Sequence, residues 1–231
     1  MKPYPPRAVV FDMDGLLLDT ERLALATFRD ACRVQGFEPD ESVYLRCIGT
    51  RGERTREILI EGYGEEFPID AVSAEWTERY HEHVMNRPVE IKPGAFRLLE
   101  RLAELALPLA LATSTGSDVA RRKLELAGLA RFFVHVVGGD QVTYAKPHPE
   151  PYLEAIRRLG VAPQHTWAIE DSEHGVRSAA AAGLYVVQVP DLITPSADLR
   201  ALGHPIVSSL AEVERMVNCI TDPELPSSAA I

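Results

Sequence analysis

Residues 8–15 read AVVFDMDG, a short apolar run that ends in two aspartates and a glycine. The run Ala8–Phe11 has the length and the β-branched content of a buried strand. Asp12 and Asp14 follow it two residues apart, and Gly15 allows the chain to turn. Both carboxylates can therefore face one pocket at the end of a first strand.

Further apolar runs of the same kind alternate with segments of helical periodicity. The other predicted strands are Leu109–Ala112 and residues 133–137, 167–169 and 185–189, with a weaker one at residues 206–207. The predicted helices cover residues 94–105, 118–127, 149–159 and 173–182. This alternation, with nearly continuous apolar strands, predicts an α/β fold with a parallel sheet covered on both faces.

The chain between the first and second predicted strands has a different character. Residues 20–87 contain no convincing strand, and their apolar spacing predicts helices near residues 23–34, 54–60 and 71–84. We therefore predict a helical cap domain over residues 20–87, inserted into a Rossmann-like core made of residues 1–19 and 88–231. Hinges near residues 19–20 and 87–88 would let the cap open and close over a site.

Candidate functional side chains follow each strand of the predicted central group. Ligands of open parallel sheets bind beyond the carboxyl ends of the strands, so side chains at those ends can share one site. In strand order the candidates are Asp12 and Asp14, Thr113 and Ser114, Lys146, and Glu170 and Asp171.

These residue types suit the transfer of a phosphoryl group, which needs an in-line nucleophile, a counter-ion and a proton for the leaving oxygen. Asp12 can attack phosphorus as a carboxylate, and Asp14 can serve as general acid and base. Asp12, Glu170 and Asp171 offer the oxygen ligands that Mg²⁺ prefers. Thr113, backbone N–H groups around Ser114, and Lys146 can bind phosphate oxygens.

Composition limits the kinds of partner. The 231 residues carry 24 basic and 34 acidic side chains, a net charge of −10, which argues against a nucleic-acid partner. No stretch approaches the ~20 apolar residues that span a bilayer, and the N-terminus lacks the apolar segment of a signal peptide. We expect a cytoplasmic protein with no membrane partner, a monomer that binds a small phosphorylated metabolite.

Four segments together resemble the signature motifs of the haloacid dehalogenase superfamily. They are FDMDGLLLDTE at residues 11–21, LALATSTGS at 109–117, KPHPEPYLEA at 146–155 and IEDSEHGVRSAAAAG at 169–183. A helical insert after the first motif resembles the subgroup with a C1-type cap, which includes β-phosphoglucomutase and many sugar-phosphate and nucleotide phosphatases. The first two segments are especially similar to those of the pseudouridine-5′-phosphatase group.

The resemblance implies Mg²⁺, an aspartyl-phosphate intermediate and a role for each motif residue. It makes Asp12 the nucleophile, Asp14 the acid and base, Thr113 the phosphate binder and Lys146 the anchoring cation. It assigns Asp171 to the metal, with Glu170 beside it directly or through water and the Asp14 carbonyl completing the ligands. Dehalogenases of this superfamily generally lack an acid at the position of Asp14, so the resemblance favours a phosphatase.

Several interpretations stay open. Arg51 lies in residues 48–52, which resemble the cap loop that reaches the substrate, but a solvated arginine is an equally good interpretation. His148 and His174 stand near the predicted site and receive no catalytic role. A mutase of the β-phosphoglucomutase kind, which returns the phosphoryl group to a sugar, is the alternative to a phosphatase. An inactive binding or regulatory homologue is the third hypothesis.

Overall fold

Five short strands form one parallel sheet in the computed structural model, which describes residues 4–48, 50 and 52–221. They are β1 Ala8–Phe11, β2 Leu109–Ala112, β3 His135–Val137, β4 Thr166–Glu170 and β5 Tyr185–Gln188. Their order across the sheet is β3-β2-β1-β4-β5, which puts β1 at the centre. In the register Phe11 pairs with Leu111 on one side and with Ile169 on the other. The predicted α/β class with a Rossmann-like parallel sheet is confirmed.

Between β1 and the next core helix, the regular secondary-structure elements of the described residues are all helices. They are α1 Thr20–Val34, α2 Glu41–Cys47, α3 Glu53–Tyr63 and α4 Ile69–Asn86. They bury a hydrophobic cluster of their own, in which the Phe28 ring lies 5.4 Å from that of Tyr44 and 5.1 Å from that of Trp76. This cluster is distinct from the two that line the sheet. A cap domain needs a hydrophobic core of its own, and this cluster can provide it. The domain boundaries at residues 20 and 87 stay a prediction.

The two linkers between this helical segment and the sheet pair with each other. The Asp19 N–H donates to the Glu90 carbonyl at 2.8 Å, and the Lys92 N–H donates to the Leu17 carbonyl at 2.9 Å. Leu18 and Ile91 face each other in an antiparallel bridge between these bonds. The linkers therefore run antiparallel to each other, next to the predicted hinges.

The remaining helices cover both faces of the sheet. They are α5 Ala95–Glu104, α6 Ser117–Leu126, α7 Glu150–Leu159, α8 Glu173–Ala181, the short α9 Ala197–Arg200 and α10 Leu210–Thr221. Because side chains alternate along a strand, Val9 and Phe11 pack under α5, α6 and α10 while Val10 packs under α7 and α8. None of the described helices is both long and apolar enough to cross a membrane.

The secondary structure differs from the prediction at one strand and at three helices. The weak strand at residues 206–207 is wrong, because Ile206 forms only an isolated bridge with Gln188. The sequence interpretation also missed α2, the four-residue α9 and α10. Helix α2 has seven residues, fewer than two turns beyond its cap, which is too short for periodicity to identify. In α10 the buried residues Leu210, Val213 and Val217 do follow helical spacing, so that signal was present.

Candidate active site

The sheet order brings the predicted site residues that end or follow three neighbouring strands together at the carboxyl ends of those strands. Asp12 directly follows β1, and its backbone N–H extends the ladder by donating to the Ile169 carbonyl of β4 at 3.0 Å. On the other side the Thr113 N–H, after β2, donates to the Val137 carbonyl of β3 at 3.0 Å. The side chains of Asp12, Thr113 and Glu170 are all buried there. The carboxyl ends of the central strands thus form the floor of a single site.

Lys146 joins two of these strand ends. Its ammonium donates to Asp12 Oδ1 at 2.6 Å and to Glu170 Oε1 at 2.5 Å. Burial alone would lower the pKa of Lys146, but the two carboxylates outweigh it and raise that pKa. The lysine therefore stays charged, as a fixed cation beside Asp12 should.

Glu170 has no exposed surface, and both of its oxygens are already engaged. Oε1 accepts from the Lys146 ammonium and, at 2.8 Å, from the Tyr152 hydroxyl. Oε2 accepts from the Asp171 N–H at 3.0 Å and from both the N–H and the hydroxyl of Ser172 at 3.1 Å. This arrangement makes Glu170 an anchor for Lys146 and for the start of α8. Of the two roles predicted at the metal, it favours contact through water.

Asp14 meets a different set of groups. Its Oδ1 accepts from the Lys123 ammonium at 2.8 Å, and its Oδ2 accepts from the Thr115 hydroxyl at 2.6 Å. Burial would raise the pKa of Asp14, but the Lys123 charge and the hydrogen bonds from Lys123 and Thr115 outweigh it and lower that pKa. Its carboxylate is thus held apart from the Lys146 cluster.

Thr113 and Ser114 differ in what they contact. The Thr113 hydroxyl is buried; it accepts from the Thr115 N–H at 3.1 Å and lies 3.4 Å from Asp14 Oδ2. Ser114 is exposed in the loop before α6, and its side chain makes no hydrogen bond to any described residue. Arg51 lies outside the described residues. The structure therefore brings Thr113 into the cluster and leaves Ser114 at its solvent side.

Asp171 has a carboxylate that the described protein does not satisfy. No hydrogen bond or ion pair reaches it from residues 4–48, 50 or 52–221, and burial together with the Glu170 and Asp12 carboxylates raises its pKa well above the usual value. A Cβ on Gly15, where φ is +84°, would lie 2.6 Å from Asp171 Oδ2, so only glycine lets the first loop approach so closely.

This surplus of negative charge fits a divalent cation. Burial, Glu170 and Asp14 also raise the pKa of Asp12, to about 7, in spite of Lys146. No described backbone or side-chain donor bonds to the Asp14 carbonyl oxygen, which is therefore free to bind an ion. The described residues hold no cluster of three or more His, Cys, Asp or Glu arranged for a metal. Mg²⁺ does not require one, because it is commonly bound through one or two carboxylates and the substrate phosphate.

A cleft of about 300 Å³ opens beside Asp171, between the cap helices and the sheet. Ile48 and Thr50 line it from the cap side, and Asp191 and Leu192 line it from the loop after β5. Glu21 also lines the cleft, and burial together with the charges of Asp14 and Asp191 raises its pKa to about 7. The cleft can hold a small organic group next to the carboxylates. His174 is exposed at its wall and His148 is exposed on the surface.

Sequence reasoning missed three side chains of this cluster: Thr115, Lys123 and Tyr152. Thr115 and Tyr152 lie inside two of the quoted motif segments, so their positions near the site could have been inferred from the sequence. Lys123 belongs to the run RRKLE, where nothing separates a buried lysine from its solvated neighbours. Its contact with Asp14 depends on how α6 packs.

Comparisons with known proteins add independent findings. Residues 9–189 match the family model described as haloacid dehalogenase-like hydrolase. A phosphorylated carbohydrates phosphatase of Thermotoga maritima is 32% identical over 218 residues, which cover 93% of this chain and 98% of that protein. A Drosophila melanogaster protein named a probable pseudouridine-5′-phosphatase is 35% identical over 188 residues, covering 79% and 80% of the two chains. The crystal structure of a CbbY mutant from Rhodobacter sphaeroides, in complex with xylulose-(1,5)bisphosphate, has a TM-score of 0.70 at 27% identity and covers 90% of this chain and 96% of its own.

Proposed function

This chain belongs to the haloacid dehalogenase-like hydrolase family and is a hydrolase of phosphoric monoesters, and we propose that it is a Mg²⁺-dependent phosphatase that takes the phosphoryl group of a small phosphorylated metabolite onto Asp12. The observation that carries the proposal is the different surroundings of two aspartates two residues apart. Asp12 lies with Lys146 among carboxylates that a cation would balance, and Asp14 is held separately by Lys123 and Thr115. One can attack phosphorus while the other transfers protons.

In the first step an Asp12 carboxylate oxygen forms a bond to phosphorus while the bond from phosphorus to the ester oxygen breaks. The leaving oxygen takes a proton from Asp14, so the organic product departs as a neutral alcohol. Since Lys123 and Thr115 lower the pKa of Asp14 in the free protein, Asp14 takes up that proton when the anionic substrate, whose charge raises its pKa, binds beside it. Lys146, the Thr113 hydroxyl and backbone N–H groups near Ser114 hold the phosphate oxygens and disperse their charge. Lys146 also orients Asp12, because the same ammonium is fixed by Glu170.

In the second step a water oxygen forms a bond to phosphorus and the acyl bond to Asp12 breaks. Asp14, now ionised, takes a proton from that water and returns to the state that began the cycle. Closure of the cap over the cleft restricts bulk water to the one molecule that reacts.

Asp12 and Asp171, with the Asp14 carbonyl, would hold the metal, and Glu170 would reach it only through water. When bound, the ion offsets the repulsion between the anionic nucleophile and the anionic substrate. This assignment rests on the unsatisfied Asp171 carboxylate and on the raised pKa values of Asp12 and Asp171.

The substrate class that we propose is a sugar phosphate or a nucleotide-like phosphate. A cleft of about 300 Å³ suits an organic group of that size. The relatives named above include a phosphatase of phosphorylated carbohydrates and a probable pseudouridine-5′-phosphatase. Arg51 is proposed to contact the distal part of the substrate from the cap loop. A monomeric state and a cytoplasmic location stay predictions.

A panel of phosphate esters assayed with and without Mg²⁺ tests this function. We expect phosphate release from at least one sugar or nucleoside phosphate, lost in EDTA and restored by Mg²⁺. Incubation with glucose 1-phosphate tests the mutase alternative, since a mutase yields glucose 6-phosphate and a phosphatase yields free phosphate. Absence of turnover across the whole panel with Mg²⁺ would contradict the proposal and favour a silent homologue.

A further inference from the structure

Lys123 lies at the boundary between the cap and the sheet domain and is almost completely buried, with 1% of its surface exposed. It belongs to α6 of the core. Its ammonium donates to Asp14 Oδ1 at 2.8 Å and to the Tyr80 hydroxyl at 3.0 Å. Tyr80 lies on α4 of the cap, so one side chain bridges the cap and the carboxylate of the proposed acid and base.

Burial of an ammonium is unfavourable unless partners compensate for the lost hydration. Among the described residues, Lys123 has only Asp14 and Tyr80 as hydrogen-bond partners, and its ammonium lies 5.2 Å from the centre of the Tyr80 ring. The neighbouring Arg122 donates from Nε to the Met85 carbonyl of α4 at 2.9 Å. Two consecutive residues of α6 therefore hold the same cap helix, and only Lys123 also contacts the site.

We propose that Lys123 is a positioning residue that couples the docking of cap helix α4 to the orientation of the Asp14 carboxylate. With α4 docked, Tyr80 and Lys123 fix Asp14 Oδ1 while Thr115 fixes Oδ2. If α4 moves away, the ammonium loses one of its two partners and the carboxylate loses a fixed direction. The inference rests on the proposed function, because it concerns how Asp14 performs the two proton transfers.

The two half-reactions make different demands on Asp14, which gives a sharp test. Departure of an alkyl alcohol needs a proton from Asp14, whereas p-nitrophenolate leaves without one. Attack of water on the aspartyl phosphate needs Asp14 as a base for every substrate. The ratio kcat/KM reports the steps through departure of the alcohol, while kcat also includes the water step.

The experiment compares wild type, Lys123→Met and Lys123→Arg with glycerol 1-phosphate and p-nitrophenyl phosphate. For Lys123→Met we expect kcat/KM to fall about 10²-fold or more for the alkyl ester and less than about 5-fold for the aryl ester. For the aryl ester kcat should fall and KM should fall with it, because the aspartyl phosphate accumulates. Lys123→Arg keeps the charge, so its kcat/KM for the alkyl ester should be at least about tenfold higher than that of Lys123→Met.

Equal losses of kcat/KM on both esters, or no loss on either, would overturn the proposal. Tyr80→Phe provides a second variant in case Lys123→Met does not fold, since it leaves the ion pair with Asp14 in place. It should lower kcat/KM of the alkyl ester by about 3-fold to 10-fold and leave the aryl value unchanged. A ratio of the alkyl to the aryl value that is unchanged in Tyr80→Phe overturns the proposal. Failure of wild type to hydrolyse any ester of the full panel with Mg²⁺ would instead overturn the proposed function.

Discussion

Asp12 and Asp14 are separated by one residue, yet the chain gives their carboxylates opposite electrostatic surroundings. Burial and two neighbouring carboxylates raise the pKa of Asp12 to about 7, and Lys123 with Thr115 lowers that of Asp14. The difference arises because β1 ends at the middle of the sheet, between the ends of β2 and β4. Successive residues there face different neighbours.

Asp12→Asn tests the nucleophile at this scale. An amide cannot form the acyl phosphate, so we expect turnover to fall by at least about 10³-fold. The melting temperature should stay equal or rise, because a carboxylate whose pKa folding raises from 3.8 to about 7 destabilises the folded state as the pH rises from about 4 to neutral. The measurements are phosphate release and thermal unfolding at neutral pH. Turnover within tenfold of wild type would remove Asp12 from the role.

Most residues of the candidate site could be predicted from the sequence, for a physical reason that also explains which ones could not. Strand ends and turn glycines are local features, so Asp12, Asp14, Lys146 and Asp171 could be found from the order of the motifs. The partners of Glu170 and the burial of Lys123 depend on the packing of α6, α7 and α8 against the sheet. No local pattern encodes such packing, so Glu170 was left between two roles and Lys123 was not recognised.

At the scale of elements, the junction of β4 and α8 explains how a fully buried glutamate is tolerated. Glu170 ends the strand, two backbone N–H groups of the following turn donate to it, and the Ser172 hydroxyl both donates to Glu170 and accepts from the Gly175 N–H at 3.1 Å. The first turn of α8 therefore wraps around the carboxylate. Only a residue without a side chain fits at Gly175, since an added Cβ would lie 1.7 Å from Glu170 Oε1.

Gly175→Ala should therefore displace Glu170 and disturb Lys146. We expect a loss of about 1–3 kcal/mol in the free energy of unfolding, as for overpacked cores, together with lower activity. Gly116→Ala is a matched control, because that glycine has φ of −59° and the nearest atom to an added Cβ is 3.9 Å away. Chemical denaturation of both variants provides the measurement. A Gly175→Ala protein as stable as the control would contradict this description of the junction.

The secondary structure was predictable wherever an element is long or buried on a regular face. The five strands were found because a central parallel strand is apolar along its whole length. Helix α2 was missed because seven residues do not establish a period. The linkers were predicted as hinges from their positions alone, and their pairing through Asp19 and Glu90 could not be read from the sequence.

At the scale of the whole molecule, three hydrophobic clusters divide the protein. Two lie on the faces of the sheet and the third lies within α1 to α4. The tryptophans are divided in the same way, with Trp76 beside Phe28 in the cap cluster and Trp167 in β4. The cap cluster and one of the two sheet clusters thus each have a fluorescent reporter, and the cap boundaries that we predict can be tested by unfolding.

Phe28→Ala should destabilise the cap more than the core. Phe28 has no exposed surface, and removal of a buried phenylalanine side chain costs about 3–5 kcal/mol. In a Trp167→Phe background, where Trp76 reports, the midpoint of denaturation should fall strongly, and in a Trp76→Phe background it should fall little. Leu99→Ala, in the core cluster, should show the reverse. Equal shifts in both backgrounds would contradict a separately stabilised cap.

Metal binding should be visible in the stability of the whole protein, independently of turnover. Because the ion relieves repulsion around Asp171, Mg²⁺ at 100 times its dissociation constant should stabilise wild type by about 2.7 kcal/mol relative to EDTA. Asp171→Asn should melt higher than wild type in EDTA and show no response to Mg²⁺. The exposed Asp198→Asn is the control and should keep the full response. A response to Mg²⁺ that is equal in wild type and Asp171→Asn would exclude this ligand.

The central claim is that phosphate passes through a covalent bond to Asp12, and trapping that bond tests it most directly. Wild type and Asp14→Asn would be mixed with p-nitrophenyl phosphate and Mg²⁺, quenched in acid and digested for mass spectrometry. We predict one phosphoryl group on the peptide that contains Asp12, sensitive to hydroxylamine and more abundant in Asp14→Asn because the water step lacks its base. Phosphate release with no phosphoryl group on that peptide in either protein would contradict the account.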